Sequence, residues 1–270
     1  MTNDKISLDY SDPVEIAKGI HWVGFSDEKE GLQCNPYLVC DGAEAILIDG
    51  GSRPHFSTVM MKILQTGIKP AMIKRLIYQH YDPDLCGSIP NFEEIIGSDD
   101  LKIISHRENN VFIRYYSTTS PRMSIDEIGN EYIFSSGRRL RFVRTPYAHS
   151  AGSFMTFDEQ TGTLFSSDLF GSQGAEWDLF MELPSYCGAC PSYDACPHGI
   201  AKCPLQGIFS FHVRVMTSCR ALQLAMQTVQ RIAPRIVASQ HGSVIRVESH
   251  IELITKRLLE LGEVGIDAYA

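Results

Sequence analysis

An α/β domain is the fold class this sequence predicts, and three observations point to it. Short apolar runs alternate with amphipathic helical patterns from end to end. At 270 residues the chain is long enough to bury a substantial core within one such domain. Its composition is ordinary for a globular protein, 44% hydrophobic and 21% charged, with no low-complexity segment and no interdomain linker.

Taken in order, residues 20–25, 37–40 and 45–49 read as strands, the third running into Gly50-Gly51. Over 55–64 the spacing of Val59, Met60, Ile63 and Leu64 predicts an amphipathic helix. Residues 74–79 form the next expected strand and deliver His80 at its C-terminal end. Further strands are expected at 101–105, 139–145, 153–157 and 163–167. Residues 217–232 predict a helix capped by Thr217 or Ser218, whose hydroxyl can accept from an otherwise unpaired main-chain N–H. A strand at 236–239 ends beside His241, and a closing helix at 249–261 has Ser249 as its cap and Gly262 as its stop. Stretches 115–122 and 170–209 show no regular pattern. The second is too long for a plain connection in a compact domain, so a function is expected of it.

With 24 basic and 32 acidic residues the net charge is -8, which argues against broad binding to nucleic acid or to an anionic membrane. No apolar run reaches the length of a bilayer span. Residues 1–7 lack the apolar core of a secretory signal, so the chain is expected to stay in the cytoplasm. Disulfides are not expected in that compartment, although there are eight cysteines. Cys34, Cys40, Cys86 and Cys219 are scattered in apolar settings and read as buried packing residues. Cys187, Cys190, Cys196 and Cys203 lie together and need another explanation.

Six residues are spaced like the ligands of a two-metal site: His80, Asp82, Asp84, His149, Asp168 and His241. The first three fall in Gln79-His80-Tyr81-Asp82-Pro83-Asp84, where alternation in an extended loop directs their side chains to one side and Pro83 stiffens the loop. The other three each follow an expected strand and sit beside small residues. Three imidazoles and three carboxylates suffice for two divalent ions that share one bridging carboxylate, a recurrent catalytic device. The set is oxygen-rich for zinc and suits iron or manganese.

With these landmarks the chain resembles the metallo-β-lactamase superfamily. The resemblance runs from Leu47-Ile48-Asp49-Gly50-Gly51 through the His80 run, His149 and Asp168 to His241-Gly242, nearly the whole chain. It implies a four-layer αβ/βα sandwich with the metals at one edge of the paired sheets. Asp49 and Tyr81 are then expected close behind the ligands, with Asp49 ordering their loop. Hydrolases of the superfamily carry His-x-His-x-Asp-His, whereas here a carboxylate replaces the second His. That replacement marks the flavodiiron branch, with His-x-Glu-x-Asp and a distant His, Asp and His. The intervals are similar, with 64 residues between Asp84 and His149 and 18 between His149 and Asp168. By this resemblance His80, Asp82 and His149 bind one iron, Asp84 and His241 the other, and Asp168 bridges.

Two departures stand out: Asp82 occupies the usual Glu position, and Leu85 stands where a His often follows. His212, in Phe211-His212-Val213-Arg214, is the candidate substitute ligand or proton donor. Flavodiiron proteins carry a flavodoxin domain after the diiron domain. This sequence ends soon after its last expected helix, leaving no room for FMN, so the reading is one diiron domain, 1–270, with a cysteine-rich insert at about 185–206.

The insert has a C-x2-C-x5-C-x6-C spacing with Pro after Cys190, Cys196 and Cys203. Four thiolates can hold an iron–sulfur cluster or a structural zinc, and His198 could compete as a ligand. A [4Fe–4S] cluster at this edge would supply electrons where the flavin is absent. The functional expectation is a diiron protein that binds O2 or NO, for sensing or for reduction as an O2/NO reductase-type oxidoreductase. Its electron donor or signalling partner is open, and the resemblance implies a head-to-tail homodimer. The alternatives are a dinuclear hydrolase, in which a metal-bound hydroxide attacks a phosphodiester, thioester or lactam, and a binding module whose metals only scaffold a partner surface.

Overall fold

The structure is a computed structural model and describes residues 8–27, 31–117, 119–174, 177–190, 195, 196, 198, 199 and 203–269. The expectation for residues 1–7, and the prolines at 191 and 197 beside the cysteines, lie outside the described residues. The first half of the chain supplies β1 (Val14–Ala17), β2 (Ile20–Trp22), β3 (Phe25–Asp27), β4 (Leu32–Cys34), β5 (Tyr37–Asp41), β6 (Glu44–Ile48), β7 (Ile73–Ile77), β8 (Lys102–Ser105) and β9 (Arg122–Ser124). Interleaved with them are α1 (Phe56–Gln65), α2 (Pro83–Cys86), α3 (Ile89–Ile96) and α4 (Arg107–Ile113). The second half gives β10 (Glu131–Ile133), β11 (Arg139–Arg144), β12 (Phe154–Asp158), β13 (Thr163–Phe165), α5 (Gln206–Val215), α6 (Cys219–Ile232), β14 (Ile236–Ala238) and α7 (Glu248–Leu259).

One sheet has the order β1-β2-β5-β6-β7-β8-β9 and the other β10-β11-β12-β13-β14, while β3 and β4 pair separately. β6, β7, β8 and β9 run parallel, as do β13 and β14. The C-terminal ends of β7, β13 and β14 therefore open on the edge where His80, Asp168 and His241 follow.

Alternation along the strands sorts the side chains into three cores. Leu38, Leu47, Leu76 and Ile103 meet Val59 and Ile63 of α1 and Phe92 of α3 on the outer face of the first sheet. Val39, Ile46, Ile48, Ile77 and Ile104 face Leu140, Phe142, Phe154 and Phe165 of the second sheet. Met155, Leu164 and Val237 pack outward on α5, α6 and α7. Helix, sheet, sheet, helix: the four expected layers are present.

Several local expectations are corrected. The strand expected at 20–25 divides into β2 and β3, which lie in different sheets. A Cβ on Gly24 would stand 2.2 Å from the Cys34 carbonyl oxygen, so only glycine allows that approach where the chain changes sheets. α7 begins at Glu248 with Val247 as its N-cap, placing Ser249 inside the first turn, and it ends at Leu259, short of Gly262. Ser218 does cap α6, accepting from the Ala221 N–H at 3.2 Å. Part of the patternless 170–209 stretch belongs to α5. Among the described residues no helix is long and apolar enough to cross a membrane.

Candidate metal centre

The six expected residues converge. β7 leads through Tyr78 and Gln79 to His80, and Asp49, at the end of the neighbouring β6, accepts from the main-chain and side-chain N–H groups of Gln79 at 3.1 and 3.2 Å. Asp49 is 1% exposed, and burial pushes its carboxyl up to about 7. Tyr81 turns away and stacks on Phe112, with ring centroids 4.4 Å apart. The chain then bends. Asp82 is the N-cap of α2, Pro83 its first residue, and Asp84 lies in its first turn rather than in an extended loop. Proline at that position has no N–H to leave unpaired, and its fixed φ starts the helix.

His149 lies in the tight connection from β11 to β12. The Tyr147 N–H donates to the Ser150 carbonyl at 2.8 Å, and Tyr147 and His149 adopt φ of 63° and 91°. Left-handed backbone at non-glycine residues is uncommon and held only by surrounding structure. Asp168 follows β13 after Ser167 (φ 55°), and His241 follows β14. Behind His241, Gly242 has φ 82°, and a Cβ there would stand 2.2 Å from Ser172 Oγ.

Each imidazole has its Nδ1 held and its Nε2 turned toward carboxylates. His80 Nδ1 lies 2.9 Å from Ser167 Oγ, while the His149 and His241 Nδ1–H groups donate to the carbonyls of Val215 at 3.4 Å and Gln33 at 2.8 Å. This kind of partner fixes the tautomer and aims the free nitrogen of a metal-binding histidine. His149 Nε2 is 2.8 Å from Asp82 Oδ2, and His241 Nε2 is 3.2 Å from Asp84 Oδ2. Asp168 sits at the middle, its Oδ1 3.8 Å from His80 Nε2 and 3.7 Å from His241 Nε2, its Oδ2 3.9 Å from His149 Nε2.

Electrostatics follow from this crowding. Burial alone would lower His149, but the Asp82 and Asp168 carboxylates raise it to about 9. Burial likewise opposes the charged form of His241, and Asp84 and Asp168 hold it well above the ordinary imidazole value. Asp82 and Asp84, which burial would raise, are brought below the usual carboxylate value chiefly by His149 and His241 respectively. Protons here stand in for cations.

Donor chemistry and geometry fit a pair of metal ions. Asp168 Oδ1 is buried without a hydrogen-bond partner. Donor atoms of His80, His149 and Asp168 lie within 4.8 Å of one another, as do those of Asp84, His241 and Cys34. Ions about 2.0–2.3 Å from nitrogen, oxygen or sulfur ligands fit such spacings.

Three residues sit otherwise than expected. His212 is fully enclosed; its Nε2 accepts from the Phe170 N–H at 3.0 Å and its Nδ1–H donates to the Ile208 carbonyl at 2.7 Å. With both nitrogens committed to main chain, it is neither a substitute ligand nor a proton donor in this arrangement. Cys34 is buried as expected, but its sulfur faces Asp84 and His241 rather than only packing. His198 packs at a tilt against Tyr186, with centroids 4.0 Å apart. Sequence reasoning also missed Ser167, which holds His80 by its hydroxyl and the His241 loop by its carbonyl, accepting from the Gln240 N–H at 2.9 Å. Its place directly before Asp168 was the available signal.

Cys187, Cys190, Cys196 and Cys203 line one pocket together with Leu205, Phe209 and Arg257. None of the eight cysteines is in a disulfide. Burial, reinforced by the neighbouring thiols, raises Cys187 and Cys203.

The paired sheets with this cluster at their edge define a metallo-β-lactamase-like core of the flavodiiron type. The chain belongs to the ODP family beta lactamase, whose sequence profile matches residues 32–242. A curated relative, the putative diflavin flavoprotein A 2 of Synechocystis sp., is 24% identical over 221 residues, covering 81% of this chain and 34% of the relative. The anaerobic nitric oxide reductase flavorubredoxin of Aeromonas hydrophila is 24% identical over 179 residues, covering 62% of this chain and 34% of the relative. The chain thus spans about a third of the length of these two relatives. The chemotaxis sensor ODP, solved as a peroxy diiron species, matches with a TM-score of 0.72 and 23% identity over 95% of this chain and 97% of its own. Rubredoxin oxygen:oxidoreductase of Desulfovibrio gigas matches with a TM-score of 0.74 and 19% identity over 92% of this chain and 61% of its own. At these identities the structural likeness speaks to the fold.

Proposed function

We propose that this chain is a non-haem diiron protein that takes up O2 or NO, for sensing or for reduction. The observation that carries the reading is Asp168, a buried carboxylate with all three imidazole Nε2 atoms within 3.9 Å, two nearest one oxygen and one nearest the other. His80, Asp82 and His149 would hold one iron, Asp84 and His241 the other, with Asp168 between them. When bound, the iron pair supplies the redox chemistry for taking up the gas. The chain's own residues aim the imidazoles, through Ser167 and the carbonyls of Gln33 and Val215, and keep the bridging carboxylate from water. Asp82 reaches His149 despite being one methylene shorter than glutamate.

The four cysteines would hold a [4Fe–4S] cluster. All four line the same pocket, which supports one shared site for them. α5 supports a link to the metal centre: Phe209 lines the thiol pocket, and the Phe211 ring stands 5.6 Å from that of His241. We read the chain as a single cytoplasmic domain with this insert, working as a homodimer.

Anaerobic purification with metal analysis and absorption spectra before and after O2 or NO tests this. About six iron per chain and a gas-dependent band lost in Asp168→Asn are expected. Two zinc ions and no response to either gas, despite iron during growth, would overturn the reading in favour of a hydrolase. Rapid turnover with a reductant would mark a reductase, and a long-lived adduct a sensor.

A further inference from the structure

The two metal positions are unequally supplied. Beside the shared Asp168, His80, Asp82 and His149 surround the first, whereas only Asp84 and His241 serve the second, because Leu85 follows Asp84. Leu85 is 0% exposed and packs in the first core with Cys86 and Ile89, so that point of the chain faces away from the centre.

β4 supplies what is missing. Its Gln33 carbonyl accepts from His241 Nδ1–H, which leaves His241 Nε2 toward Asp84. The next residue but one, Asn35, is 0% exposed and donates from Nδ2 to the carbonyls of Ser239 at 3.0 Å and Gly242 at 2.8 Å, on either side of His241. Between these two anchors stands Cys34, 4% exposed, its sulfur within 4.8 Å of donor atoms of both Asp84 and His241. Cys34 hydrogen-bonds His241, and thiol, carboxylate and imidazole together form the donor set of a metal site in a closed corner.

We propose that Cys34 is a further protein ligand of the second metal position, beside Asp84, His241 and the bridging Asp168, bound as its thiolate. The assignment rests on the dinuclear reading above. Binding forms one sulfur–metal bond and releases the thiol proton to solvent; the ion stays divalent and no electron moves. One position is then bound by nitrogen and oxygen alone, the other also by a soft donor, so the two ions become chemically distinct.

Metal-free, full-length protein loaded with cadmium-113 and read by NMR tests this, because the cadmium resonance moves downfield with each sulfur ligand. One resonance is expected from a nitrogen- and oxygen-bound ion. A second is expected downfield of it by the effect of a single sulfur, apart from any four-sulfur signal of the insert. Cys34→Ser returns that second resonance to the range of the first, and Cys34→Ala loses its ion. Should neither variant fold, the wild-type spectrum still decides, since the one-sulfur resonance must be there. Two resonances in the nitrogen and oxygen range, unmoved by Cys34→Ser, overturn the assignment and leave the dinuclear centre standing. Cadmium signals indifferent to His149→Ala and Asp84→Asn overturn the dinuclear reading itself.

Discussion

At the residue scale the centre is built from histidines whose outer nitrogens are spoken for. Ser167 does the most, touching His80 and the loop of His241 while preceding Asp168. Ser167→Ala is predicted to weaken metal affinity by about 10–100-fold, measured by competition with a chelator, with little change in folding. His212 behaves differently. Burial outweighs its carbonyl partner and pushes it from 6.5 down to about 4. As pH falls through 6.5 the unfolded chain binds a proton that the folded chain refuses until about 4, so stability is lost across that window and is unaffected by this group above it. The loss is at most about 3 kcal/mol. Denaturant titrations of the metal-free protein at pH 7 and 4.5 should show it in wild type and much less of it in His212→Gln. The His80 run was legible because its residues sit together at a strand end. Cys34 was not, because its partners Asp84 and His241 are far away in sequence and no local spacing announces them.

At the element scale, the segment from β4 to β5 clamps the His241 loop. Asn35 accepts from Trp22 Nε1–H at 2.8 Å while donating to Ser239 and Gly242, and the Tyr37 hydroxyl donates to Ser239 at 2.8 Å. Asn35→Ala leaves a buried indole N–H and two carbonyls without this partner and is predicted to destabilise by about 1–3 kcal/mol. Urea unfolding measures that, and the same variant should loosen metal at the second position more than at the first. Central strands were legible from their apolar runs. α5 was hidden by its glycine and by the cysteine-rich stretch before it, and α2 by its length of one turn. Ser249 misled because a good capping residue one position inside a helix looks, in sequence, like the cap.

At the scale of the whole molecule, a buried ion pair within the second sheet also reaches across to the first. Arg138 Nε and Nη2 donate to the two Asp158 oxygens, each at 2.9 Å, and its Nη1 donates to the Cys40 carbonyl of β5 at 3.1 Å. Both side chains are nearly inaccessible. Arg138→Met strands a buried carboxylate and is predicted to cost about 3–5 kcal/mol by chemical denaturation, whereas replacing both partners with apolar residues should cost far less. The pair was not legible, since it depends on the β11–β12 register that brings Arg138 beside Asp158. The layered architecture was legible only through the family resemblance that the motifs at the strand ends carry.

The central claim is that Asp168 and the five side chains around it hold two iron ions that respond to O2 or NO. Mössbauer spectroscopy of iron-57-loaded protein, recorded anaerobically and again after O2, addresses it most directly. The account predicts two high-spin ferrous sites per chain, separate from any cluster signal, that become a spin-coupled diferric pair on oxygen exposure and are absent from Asp168→Asn. Iron confined to a cluster signal, with none lost in Asp168→Asn, would contradict it.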